Sequence, residues 1–72
     1  MPLYHFDLVH GKSHLDAVDA EASDDIEAMD CAESIARRIL RIWPGAKNLH
    51  YSILVTDQEG EEICRLPIDI VH

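Results

Sequence analysis

Positive charge is the scarcest feature of this 72-residue sequence. Six lysines and arginines face 14 aspartates and glutamates, for a formal charge of −8. Eight of the acids fall between Asp16 and Glu33 with no base among them. Nucleic-acid binding needs cationic side chains to release counterions from phosphates, so a polynucleotide partner is not expected. Two cysteines are too few for a disulfide scaffold, and they form no two-cysteine knuckle that would suggest structural zinc. As free thiols, Cys31 and Cys64 suit a reducing cytoplasm. Three glycines cannot build a phosphate loop, and neither nucleotide-binding fingerprint is present. The first residues carry no basic region and no long apolar run, so neither a signal peptide nor a membrane span is expected. The expected location is the cytoplasm.

What the sequence does have is one long periodic stretch, residues 24–43. At 100° per residue, Ala28, Met29, Cys31, Ala32, Ile35, Ala36, Ile39, Leu40, Ile42 and Trp43 gather on one side of a helix. Glu27, Asp30, Glu33, Ser34, Arg37, Arg38 and Arg41 fill the other side; only Ile26, in the first turn, breaks the sorting. Asp24 or Asp25 can cap the start, and Asp24-x-x-Glu27 is a variant capping box. Acids precede bases along the helix, which complements its dipole, and Glu33 with Arg37 forms an i,i+4 pair. Pro44 ends the helix, with Gly45 expected to permit the reversal after it. Ala28, Ala32 and Ala36 make a ridge that lets another backbone come close. The apolar arc spans roughly 180°, whereas a helix on one sheet needs only about 100°. One flank of the arc, Cys31 with Ile42 or Met29 with Leu40, is therefore a candidate subunit contact.

The rest reads as short strands. Residues 3–8 alternate, with Tyr4, Phe6 and Leu8 on one face. A turn follows at residues 10–13, with Gly11 free to take positive φ. Residues 14–18 alternate poorly and make a weak return strand; residues 20–23 read as an acidic connector. Residues 50–56 form a clear strand with Tyr51, Ile53 and Val55 on one face. Asp57-Gln58-Glu59-Gly60 suits a type I turn closed by a left-handed glycine. The return strand, residues 61–66, would set Val55 opposite Ile63, Leu54 opposite Cys64 and Thr56 opposite Glu62. Pro67 limits regular pairing, so residues 68–72 are expected to be edge-like or loosely docked. The fold class is α+β: one domain over residues 1–72, with an antiparallel sheet of three or four strands in β-β-α-β-β order and the helix on one face.

Met1-Pro2-x-Tyr4-x-Phe6-Asp7-Leu8, an early Gly11, the helix start Asp25-Ile26-Glu27-Ala28 and the hairpin Tyr51-Ser52-Ile53-x-Val55-x-Asp57-x-x-Gly60 cover nearly the whole chain. Together they resemble a family of small bacterial proteins, common in rhizobia and their relatives, that carries only a domain-of-unknown-function label. The resemblance supports the fold and implies no activity. Members usually show an Asp-x-x-Gly turn before the helix; here the matching stretch is Asp16-Ala17-Val18-Asp19.

Chemistry is sparse. His5, His10, His14, His50 and His72 invite a metal reading. His10 and His14 are four apart, yet they sit in a turn and a strand, where helical convergence does not apply; His5 could approach them across a hairpin, with Asp7 or Asp16 nearby. The expectation is histidines on the solvent face and no metal. The acidic stretches lack the glycine and terminal glutamate spacing of a calcium loop. Four serines lie in no nucleophile elbow, and the cysteines lack an electropositive setting apart from Arg65. Tyr4, Phe6 and Tyr51 point inward on their strands, unlike the exposed aromatic platform of RNA-recognition sheets. No enzyme activity and no cofactor are expected. The leading reading is an accessory or regulatory module working by protein–protein contact, either with itself as a homodimer or with another protein. A metal- or small-ligand module on the histidine-bearing face is the alternative, and an acidic, antitoxin-like partner of a basic protein is the third.

Overall fold

In a computed structural model that describes residues 2–70, apart from the side chains of Asp16 and Ile70, the alternating N-terminal stretch becomes the centre of a sheet. Strand β1 (Leu3–His10) pairs antiparallel with β2 (Ser13–Glu21) on one side and with β3 (Ser52–Thr56) on the other. Strand β4 (Glu62–Pro67) completes a four-stranded order β2-β1-β3-β4. Helix α1 (Asp25–Ile42) crosses one face. The architecture is the α+β arrangement expected from the sequence.

The second strand is longer than its pattern suggests. It runs from Ser13 to Glu21, straight through Asp16–Asp19 and into the first half of the presumed connector, so no turn interrupts it there. A bulge explains the poor alternation. Leu8 pairs with Asp16 and Val9 with His14, which leaves Leu15 as an extra residue and resets the faces by one. A period-2 count across that point must fail, although the ladder to β1 holds on both sides of it.

A second bulge, at Ile63, shifts the C-terminal hairpin. Thr56 faces Glu62 as expected, but Val55 faces Cys64 and Leu54 faces Arg65. The turn itself follows its sequence. Gly60 takes φ +85°, and its amide donates to the Asp57 carbonyl at 3.0 Å. The Asp57 Oδ1 accepts from the amides of Glu59 and Glu61, both at 2.9 Å.

Asp24 caps α1, its Oδ1 accepting from the Glu27 amide at 2.8 Å. Glu27 reaches back one residue further than a standard capping box, taking the Ser23 hydroxyl at 2.7 Å. Arg37 pairs with Glu33 on the exposed side. Ala28, Ala32 and Ala36 are fully buried, and the ridge lets α1 come closest to β3 and β4. The core gathers Tyr4, Phe6, Ile53, Val55 and Ala46 beneath them.

Two expectations about the loops change. After Pro44 the chain forms a 3-10 segment, Pro44–Leu49, and the left-handed residue is His50 (φ 58°), with no positive φ at Gly45. The segment after Pro67 is docked: Ile68 donates its amide to the Tyr51 carbonyl at 3.0 Å and is fully buried, opening a short 3-10 turn, Ile68–Ile70. A large aliphatic side chain gains more from the core than the strand edge could give it. Residues 71 and 72, with His72, lie outside the described residues.

Candidate contact groove

Because α1 leans toward β3 and β4, the helix-side face of β2 is left partly uncovered. A groove of about 240 Å³ opens there. One wall is the C-terminal half of α1, with Ile35, Ile39 and Ile42, continued by Trp43. The other is Ala17 and Val18 of β2, and the floor is Phe6, Leu8 and Ile53. Polarity is nearly absent from this surface. Three of its large apolar residues stand in solvent: Ile42 is 78 % exposed, Val18 51 % and Trp43 43 %. The Trp43 ring lies 5.3 Å from that of Tyr51, which meets the His10 ring edge-on at 5.1 Å. Enclosed small-molecule pockets run from about 300 to 1,000 Å³. This groove is smaller and open.

The four contact candidates from the sequence are not brought together. Ile42 lines the groove, and Cys31 lies on the same flank of α1 but is half-buried against the core. Met29, 47 % exposed, and Leu40, half-buried, lie on the other flank. Val18 and Trp43 also line the groove and are not among the four sequence candidates. Val18 sits in the strand whose alternation the bulge scrambles, and Trp43 reads as the last residue of a helix stripe. The exposure of both depends on where the helix leans.

The opposite face of the sheet carries His5 and His14. His5 Nδ1 meets Asp19 Oδ1 at 2.5 Å across the β1–β2 ladder, and His14 Nδ1 lies 3.5 Å from Asp7 Oδ2. His10 is occupied by Tyr51, and His50 lies 3.7 Å from Asp69. Among the described residues no three histidines, cysteines or carboxylates are placed to hold a metal ion. His5, His14 and His50 each lie beside a separate carboxylate, and His5, His10 and His14 do not converge.

Among the described residues, two groups have shifted acidity. Tyr4 donates its hydroxyl to Asp25 at 2.8 Å, tying β1 to the first turn of α1. That bond, with burial and the negative charges of Asp25, Asp24 and Asp57, pushes the phenol up to about 12. Burial, then the nearby Glu62 and Asp25, pushes the Cys64 thiol up, the reverse of what a nucleophilic cysteine needs. No helix among the described residues is long and apolar enough to cross a membrane.

Residues 3–69 match the family described as Domain of unknown function (DUF6894), and the chain belongs to that family. No curated protein and no solved structure matches it.

Proposed function

We propose that this DUF6894 domain works by protein–protein contact, as a cytoplasmic accessory or regulatory factor with no catalysis of its own, and that the groove between α1 and β2 is its contact surface. One observation carries the reading: a solvent-open, almost wholly apolar groove whose rim holds Ile42 at 78 % exposure. Exposed apolar area beside polar surroundings marks interaction sites, and aromatic anchors such as Trp43 are enriched at the centres of such contacts. The two thiols are unpaired, which suits a reducing compartment. The histidine-bearing face offers separate ion pairs, a solvated arrangement that needs no ligand to explain it.

The test is photo-crosslinking in the native cell. A benzophenone side chain replaces Ile42 in one variant and Arg37, on the far side of α1, in another. Discrete adducts are expected from position 42 and none from position 37. Equal adducts from both positions, or none from either, would overturn the reading.

A further inference from the structure

We propose that the groove is filled by a second copy of this chain, joined edge to edge through β2 with the two-fold axis at Val18. The inference rests on the contact reading and names its partner.

The sheet has two edges, and they differ. Strand β4 is six residues long, carries a bulge at Ile63 and ends in Pro67, which has no amide to donate. Bulges and proline are devices that blunt an edge. Strand β2 is nine residues long, has no proline, and pairs regularly with β1 from Asp16 to Glu21. That regular part is exposed on the outer side of the sheet and borders the groove. What guards it is charge, from exposed Asp19 and Glu21.

Charge then selects the register. Two identical antiparallel strands related by a two-fold normal to the sheet place each residue opposite one on the same face, so a residue at the axis faces its own copy. An axis at Asp16 or Asp19 sets an acid against itself, and an axis at Ala20 sets Asp19 against Glu21. Like charges directly opposite are destabilising. An axis at Ala17 avoids that, but full overlap would run the pairing through the bulge at Leu15. An axis at Val18 sets Asp16 opposite Ala20 and Asp19 opposite Ala17, all within the regular part and short of the bulge, so no acid meets an acid.

The same axis satisfies the groove. Val18 lies on the helix side of the sheet, opposite Phe6 in the β1 ladder, and is 51 % exposed. Facing its copy, it becomes a β-branched cross-strand pair, a favourable one. The two-fold leaves both helices on one face of an eight-stranded sheet. The two grooves then open toward each other across the axis, and the exposed Ile42 of each chain borders a shared apolar space. Because both copies carry charge −8, association strengthens as salt screens their repulsion.

Sedimentation equilibrium on the full chain is the test, with Val18→Asp as the variant, at two salt concentrations. Val18 is exposed, so the variant folds, which circular dichroism verifies. The expected result is a species of twice the 8.2 kDa chain mass, favoured by salt and weakened roughly a hundredfold or more by the substitution, because it sets two carboxylates face to face at the axis. In a mixed isotope-labelled sample, the expected intermolecular contacts are from Val18 methyl to Val18 methyl. A dimer that Val18→Asp leaves intact, or intermolecular contacts confined to β4, would overturn the β2 edge. A monomer throughout would overturn the second copy. If the monomer still gives adducts of some other mass from position 42, the contact reading stands with a different partner; if it gives none, both fall.

Discussion

Tyr4 joins two parts of the chain that are far apart in sequence. Its ring is in the core and its hydroxyl donates to Asp25, the first residue of α1. The phenol has an ordinary value of 10.0 and is held at about 12 in the fold. A raised value means that the folded state keeps a proton the unfolded state would release. The stabilisation is fully present below about pH 10 and is lost as pH rises toward about 12. Urea midpoints of the wild type should therefore fall across that window. Tyr4→Phe already lacks the bond below it and should fall less steeply; parallel slopes would contradict this account. Cys64 and Val18 show the same dependence on surroundings, since one is quieted by burial and the other left exposed by the lean of a helix.

At the scale of elements, α1 is held by its ends and its ridge. Asp24 accepts from the first-turn amide of Glu27, the Glu27 carboxylate holds Ser23 just before the cap, and Pro44 blocks further extension. The three fully buried alanines set how closely helix and sheet approach. Ala32→Leu inserts a branched side chain into that contact, and such overpacking costs about 1–3 kcal/mol. Urea unfolding should show a loss of this size, while the same change at exposed Ser34 should be near neutral. The two hairpins are unlike. The β3–β4 turn is built from Asp57 and left-handed Gly60, whereas β1–β2 turns at Gly11 and carries its irregularity inside β2.

For the molecule as a whole, the surface area of 4727 Å² is close to the ~4,500 Å² typical of a folded monomer of this mass. The chain thus closes its core without a partner, and the groove is surplus apolar surface left outside that core. Closure depends on the last described segment, because Ile68 is among the largest fully buried side chains. Ile68→Ala should cost about 2–5 kcal/mol, a large part of the stability of so small a domain. Thermal unfolding would check it, and a loss under 1 kcal/mol would return the tail to the status of a loosely docked edge.

The sequence alone determined the helix, its caps, the Asp57–Gly60 turn, the α+β class and the inward faces of β1 and β3. Each of these is a local matter, written in periodicity, in a capping carboxylate or in a glycine's φ. Tertiary structure decided the rest. The bulges at Leu15 and Ile63 arise from matching one strand to another, so a single strand's alternation cannot announce them. The burial of Ile68 depends on space left beneath α1 and the Pro44–Leu49 segment. The groove exists because the alanine ridge seats α1 closest to β3 and β4, a choice of position across the sheet. A helical wheel gives the width of an apolar arc; only packing decides which flank is covered and which, with Ile42 and Val18, is left facing solvent.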